Sequence, residues 1–365
     1  MTVFGSDDDR LHHGQGMGPA IQALLGVMGR DLVPPEDRRR IMDVAAAIPA
    51  ALARNSFGVE LRADAPDGGP VDLCVAMTRQ EVADPACAAA DGPWRRLWSD
   101  EAWGRVVQTI DAWRGGMFPR LRDLLLEFDT GTPGARDAGV FTAPVDLADE
   151  TPERAPTNCF HADPSVGFAP LCSLSGEIRP GVHATFRRLL DRLPPWAEVF
   201  QAGRMIGRAE GAETLRVVIR RLRPDAIPPL LAGEMDPEVR DQVLGSILPL
   251  SDRLQRAGGA LALSVDLTPA GISPRVGIEI NDDARFYMGR PGAWPQFFEL
   301  MGEAGAAHPQ LAESVLRSVG RHRLFARIPA AAILVGISHA KLLPATGGPA
   351  AKIYLGARLW HGAPE

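Results

Sequence analysis

Two stretches of the chain concentrate side chains able to do chemistry. In AKIYLGARLW, Lys352, Tyr354 and Arg358 sit at even spacing, with Ile353, Leu355, Ala357 and Leu359 between them. In ETLRVVIRRLRP, Arg216 and Arg220 stand four residues apart, and Leu215, Val217 and Ile219 occupy the intervening phase. A period of two is that of a β-strand, so each stretch presents cations on one face and an apolar row on the other. QAGRMIGR adds Arg204, and the acids Glu60 in FGVELRA and Glu127 in LLLEFDTG fall in similar runs. Several cations that converge on one space repel each other unless an anion or a set of carboxylates compensates them. Two chemistries are therefore open to these residues: capture of an anion, or pairing with acids such as Glu60, Asp266 and Glu279.

The elements that must position these residues are hairpins. The first is FGVELRA and VDLCVAMTR about a DAPDGGP turn. The second starts with LLLEFDTG, whose partner is either GVFTAP or PSVGFAPLC beyond a Pro-rich stretch at 144–163 that reads as an inserted loop or lid. The third joins AEVFQAGRMIGR to ETLRVVIRRLRP, and the fourth is GALALSVDLTPAGISPRVGIEIND. The fifth, ILVGISHAKLLPATGGPAAKIYLGARLW, turns on Pro344, Gly347, Gly348 and Pro349. Helical spacing fills the segments between, with Trp94, Leu97, Trp98, Val106, Ile110 and Trp113 forming one buried stripe. The hairpins recur roughly every 60–75 residues, the mark of a repeated supersecondary unit.

Each hairpin needs cover for its apolar face, and the helices are the candidates to supply it. The polar faces then either meet water in open sheets or line the lumen of a closed barrel. The expected fold is α+β: a ten-stranded antiparallel barrel of five helix-flanked hairpins with helices outside. Its lumen would hold Glu60, Arg62, Asp72, Glu127, Asp129, Arg204, Arg216, Arg220, Asp266, Arg275, Glu279, Lys352, Tyr354 and Arg358. Residues 1–17 read as a disordered arm, and 18–365 as a single domain.

Five successive helix-flanked hairpins, with Lys352 and Tyr354 alternating along the last strand, resemble the ABBA fold or PT barrel of the soluble aromatic prenyltransferases. The resemblance runs over the order of elements from about residue 20 to 360. It implies transfer of a prenyl group from an allylic diphosphate to an aromatic or other nucleophilic small molecule or peptide. It assigns the diphosphate to Arg204, Arg216, Arg220, Lys352 and Arg358, with Tyr354 donating a hydrogen bond. Glu60 and Glu127 would orient the acceptor and take its proton. The family shields the carbocation with several tyrosines; this chain has two in all, so Phe168, Phe200, His339 or tryptophans would have to substitute. A non-catalytic barrel that binds a peptide or metabolite is the alternative. The resemblance leaves a magnesium requirement open.

Composition narrows the remaining classes. The formal charge is −6 and 23% of residues are charged, which gives no electrostatic reason to expect nucleic acid. No apolar run approaches the roughly 20 residues of a membrane span. The acidic start and the four scattered cysteines read as a cytoplasmic protein with reduced thiols. Cys159, His161 and Asp163 lie close together, but nothing identifies a set of three converging, supported ligands for zinc, and Asp7, Asp8 and Asp9 form a solvated run, so no metal site is expected. There is no P-loop, no GxGxxG after a strand and no GxSxG elbow.

Overall fold

A computed structural model describes residues 16–53, 56–66, 69–88, 92–130, 137–144, 165–208, 213–282, 292–324 and 332–360. Eleven strands form one antiparallel sheet: β1 Ser56–Arg62, β2 Asp72–Thr78, β3 Leu121–Phe128, β4 Gly139–Pro144, β5 Glu198–Met205, β6 Leu215–Leu222, β7 Gly259–Thr268, β8 Gly271–Asp282, β9 Gly320–Arg323, β10 Ala332–Ala345 and β11 Gly348–Trp360. Eight helices of ten residues or more are described: α1 Gly18–Met28, α2 Pro35–Ala45, α3 Asp100–Arg114, α4 Ser165–Ser175, α5 Pro180–Arg192, α6 Pro237–Arg256, α7 Trp294–Glu303 and α8 Pro309–Ser318.

The sheet closes. Strands β1 to β8 pair in sequence order, β8 pairs with β10, and β10 with β11. Strand β11 also pairs with β1, from Phe57↔Ala357 to Arg62↔Lys352. The ten-stranded barrel expected from the hairpins is thus present, and the first and last hairpins are joined. Alternation decides which way each side chain points. Phe57, Val59, Leu61, Leu73, Val75, Ile353 and Leu355 are at most 2% exposed and belong to one core with Leu24, Ile110, Trp113, Leu189, Ile247, Phe297 and Val315 of the surrounding helices. The polar phase of each strand is left to the lumen. Pro at the first turn starts α5, α6 and α8; at α6 the Asp236 side chain also accepts from the Glu238 and Val239 amides at 3.0 and 3.2 Å.

Several elements differ from the sequence expectation. GVFTAP is the partner strand β4, whereas PSVGFAPLC supplies most of helix α4. Its apolar content suits a helix packed on β4 and β5 as well as it suits a buried strand, and periodicity does not separate the two over so short a run. Strand β9 is additional; it pairs only with the lower part of β10, Ala332↔Arg323 to Val335↔Gly320. Gly16 and Met17, expected in the arm, belong to the fold: Met17 is 1% exposed and its amide donates to the Ile48 carbonyl at 2.9 Å. Residues 1–15 and most of the inserted loop at 144–163 lie outside the described residues, as do Cys159, His161 and Asp163; Pro144 is the last residue of β4. Among the described residues no helix is long and apolar enough to cross a membrane.

The two barrel ends are unlike. The intra-hairpin turns after β1, β3, β5, β7 and β10 gather at one end, and the connections through helices leave from the other. The lumen opens at the turn end.

Candidate active site

Register brings the polar residues of distant strands together. Glu60 lies opposite Tyr354, and Arg62 opposite Lys352. On the next strands Glu60 faces Asp72, and Cys74 faces Glu127. Across the lumen wall Arg216 faces Asp266, and Lys341 lies between Glu279 and Lys352. The resulting ion pairs are well formed. The Arg216 guanidinium grips Asp266 through Nε at 2.7 Å and Nη2 at 3.0 Å, leaving Nη1 outside that fork. Arg208 holds Asp129 in the same way at 2.6 and 2.5 Å. Lys352 Nζ pairs with Glu60 Oε1. Lys341 Nζ donates to Ser264 Oγ at 2.7 Å and lies 3.7 Å from Glu279.

Gly277 makes room for Lys341. A Cβ at Gly277 would lie 2.3 Å from Lys341 Cε, so the lysine stem runs flat along the β8 backbone to reach Ser264. Gly203 does the same for Phe141, whose ring lies 2.0 Å from the position of an added Cβ. On β10 and β11 the His339 ring stacks on Tyr354, with centroids 4.0 Å apart and planes 12° from parallel.

Burial sets the protonation of this wall. It raises the Glu127 carboxyl, and the charge of Glu60 adds to the effect. Asp72 is pushed up to about 7 by burial and by Glu60, Asp129 and Glu127 around it. Glu60 goes the other way: burial would raise it, but Lys352 and the nearby Tyr354 hydroxyl hold it below the usual range. Burial opposes the Lys352 charge, and Glu60 more than offsets this. Burial lowers both His339 and Lys341, the latter helped by the charge of Arg216. It keeps Tyr354 a neutral phenol. The imidazole of His339 is accordingly neutral at pH 7. Glu60 is 3% exposed, and its Oε2 has no hydrogen-bond partner of standard geometry among the described residues.

Part of this wall lines a cavity of about 870 Å³. Five cations line it (Arg208, Arg216, Arg275, Lys341 and Lys352), together with Tyr354 and one carboxylate, Glu127. Of the residues assigned from the sequence, Glu127, Arg216, Lys352 and Tyr354 are therefore at the cavity, and Glu60 stands directly behind Lys352. The other three are elsewhere. Arg204 is not in the lumen: it lies opposite Val140 on the helix-facing side and donates to the Ser175 and Gly176 carbonyls at 3.0 Å each, beyond the end of α4. Gly203, its neighbour, takes the lumen phase instead. Arg220 has the lumen phase but sits four residues down β6 from Arg216, where it pairs with Glu198 and covers the Phe200 ring at 4.6 Å. Arg358 is exposed, six residues along β11 from Lys352 and towards the opposite end. The expected single cluster is thus separated along the barrel axis, because residues on one face still advance about 3.3 Å per position. Of the proposed aromatic substitutes His339 is in place beside Tyr354, whereas Phe168 packs outside, edge-on to Phe186 of α5.

Sequence reasoning missed Lys341 and Arg208. A bulge between Ile337 and His339 shifts the phase of β10, so that Val335 and Ile337 point outward before it and Ala340 and Leu342 after it. Strict alternation from Ile333 therefore puts Lys341 on the wrong face. Arg208 lies in the turn after β5, where no periodicity applies. Among the described residues no three His, Cys, Asp or Glu side chains are placed to hold a metal.

No protein-family model matches the chain, and no curated protein matches it in sequence. Solved structures do match over nearly the whole length. NotF, solved in complex with brevianamide F and DMSPP, superposes with a TM-score of 0.50 at 12% identity, covering 99% of this chain and 97% of its own. The 6-dimethylallyltryptophan synthase from Micromonospora olivasterospora, in complex with DMASPP and Trp, matches at 0.48 and 12% over 94% of this chain and 97% of its own. AnaPT from Neosartorya fischeri matches at 0.47 and 11% over 96% and 94%. At such identities the likeness is one of fold, and it agrees with the closed ten-stranded ladder seen here: this chain has the PT-barrel fold of the aromatic prenyltransferases.

Proposed function

We propose that this barrel transfers a prenyl group from an allylic diphosphate to an aromatic or other nucleophilic acceptor, a small molecule or a peptide. The observation that carries the reading is the cavity lining, five cations and a phenol against a single carboxylate whose burial drives it towards neutrality. Arg216, Lys341, Lys352 and Arg208 would meet the diphosphate oxygens, and Tyr354 would donate to one of them. When the allylic C–O bond breaks, its electron pair leaves with the diphosphate, and cations held in place by carboxylates behind them stabilise that charge without reorganising. The stacked His339 and Tyr354 rings present a π face to the allylic cation. Glu60, buried behind Lys352 and kept ionised by it and by the Tyr354 hydroxyl, would orient both towards the cavity. After the acceptor attacks the allylic carbon, Glu127 in its ionised form, which the raised pKa makes the stronger base, takes the displaced proton.

One observation favours the second reading, a barrel that binds a metabolite or peptide without turnover. Arg208, Arg216, Lys341 and Lys352 each already have a carboxylate partner, so no bare positive charge demands an anion. Titration separates the readings. Allylic diphosphates of one, two and three isoprene units would be added to the protein in a calorimeter, with and without Mg2+. The transferase reading expects binding, weakened about tenfold by Arg216→Lys, which keeps a charge beside Asp266 but loses the fork. Absence of binding by every diphosphate at millimolar concentration would leave the non-catalytic reading.

A further inference from the structure

The end of the barrel away from the lumen mouth has a surface chemistry of its own. Met117 and Trp196 are 69% and 47% exposed, and they are the two large apolar side chains found exposed among the described residues. Both sit in links from a helix to a strand at this end, Met117 between α3 and β3 and Trp196 between α5 and β5. Strands β3 and β5 flank β4, so the two links lie roughly 10 Å apart, across two strand spacings. Arg120, Arg122, Arg220, Arg221 and Arg223 share this rim. Contacts tie most of it together. Arg223 covers the Trp196 ring at 5.0 Å, and Arg220 and Arg122 both lie over Phe200, at 4.6 and 5.8 Å. A bulge between Arg220 and Leu222 coincides with a left-handed backbone at Arg221, φ 62°, a conformation strained for a residue with a Cβ. It turns two consecutive guanidinium groups to the rim, where both reach Glu198.

Charge and spacing indicate what meets this rim. Its segments carry the five arginines against three carboxylates, Asp123, Glu198 and Asp225, in a chain whose formal charge is −6. Asp123 and Glu198 are set back, with side chains 19% and 9% exposed, whereas those of Arg122, Arg220 and Arg221 are 47%, 42% and 50% exposed. The outermost layer is therefore cationic, with two apolar points in it. A stable protein partner needs a contiguous packed centre within an interface of roughly 800 Å² per side, and two separated side chains do not form one. A lipid layer needs none. Isolated tryptophan and methionine side chains enter the boundary between headgroups and acyl chains, and arginines are drawn to anionic headgroups. We propose that this end of the barrel docks on an anionic lipid surface, with Met117 and Trp196 inserted and Arg122, Arg221 and Arg223 on the headgroups. Either signal alone gives weak attachment; the two together give a firmer one. The lumen mouth then faces away from the lipid, towards water, so docking does not rest on the transferase reading.

The test is flotation of the full-length protein with vesicles of phosphatidylcholine, alone or mixed with phosphatidylglycerol, at low and high ionic strength. The protein should float with the mixed vesicles, be released as salt screens the arginines, and stay behind with phosphatidylcholine alone. Brominated lipids should quench part of its tryptophan fluorescence, and Trp196→Ala should remove that part. Arg223→Glu should weaken partition about tenfold or more, and Met117→Asp should weaken it too. Both side chains are exposed, so each variant should keep the thermal unfolding curve and the diphosphate titration of the unmodified protein. Absence of flotation with the mixed vesicles overturns the proposal, as does flotation that both variants retain. Binding of soluble polyglutamate at this rim without flotation would assign it to an acidic protein instead. Loss of thermal stability in both variants with flotation intact would show that other parts of the chain cover the rim. Flotation is read without diphosphate, so its failure leaves the transferase reading standing, and failure of diphosphate binding leaves docking standing.

Discussion

Asp72→Asn should stabilise the protein at high pH and lose that advantage on acidification. Asp72 is half-buried beside Glu60, Glu127 and Asp129, and its pKa is about 7 in the folded chain. A raised carboxyl pKa favours the fold below the unfolded value, and that contribution is lost as pH rises through the folded one. Ionised Asp72 therefore opposes folding at pH 8. From an ordinary pKa of 3.8 to about 7, at about 1.36 kcal/mol per pH unit, the opposition reaches about 4 kcal/mol. Screening by water at a half-buried site reduces this to an expected 2–4 kcal/mol or about half the full value at its lower limit. Asparagine is neutral throughout and keeps the Oδ1 that accepts from the Thr130 amide at 3.0 Å. Urea denaturation of both proteins at pH 8, 6.5 and 5 measures the difference. The variant should lead by that margin at pH 8 and by about half as much near pH 5. A pH-independent difference, or a variant less stable at pH 8, would refute the charge crowding inferred for this wall.

Two further variants test placements made above. Arg204→Met removes the guanidinium that bonds the Ser175 and Gly176 carbonyls; it should cost about 1–3 kcal/mol of stability and leave diphosphate affinity unchanged. A tenfold loss of affinity in a fully stable variant would return Arg204 to the donor site. Gly277→Ala puts a methyl against Lys341 Cε and should lower stability by about 1–3 kcal/mol while weakening diphosphate binding. Unchanged denaturation and titration curves would show that Lys341 does not lie along β8.

Much of the fold was legible because hairpins announce themselves locally. Alternation in FGVELRA, VDLCVAMTR and AKIYLGARLW specifies both the strand and its faces, and the helical stripe through Val106, Ile110 and Trp113 specifies what covers them. The site was legible only where the phase of a strand persists, as it does for Glu60, Glu127, Arg216, Lys352 and Tyr354. Where β10 bulges at Ser338, the phase breaks and Lys341 was lost. Arg204 failed for a related reason: β5 bulges between Val199 and Gln201, and a polar residue in a strand was read as lumen-facing although helix carbonyls can satisfy it equally well. Height along the barrel axis has no signature in the sequence. Arg216 and Arg220 share a face, yet only register with neighbouring strands shows that one reaches the cavity and the other a salt bridge with Glu198.

The Glu60–Lys352 pair sits on the seam where β1 meets β11, and its members are 292 positions apart in the chain. A nascent chain emerges from β1 onwards, so every other strand is made before the one that supplies Lys352 and Tyr354. Until β11 docks, β1 and β10 are open edges, Glu60 lacks Lys352 and the lumen is not enclosed. Closure of the cavity and completion of the barrel are therefore a single late event, and a ribosome-bound or truncated intermediate lacking β11 would have neither an enclosed lumen nor the Glu60–Lys352 pair.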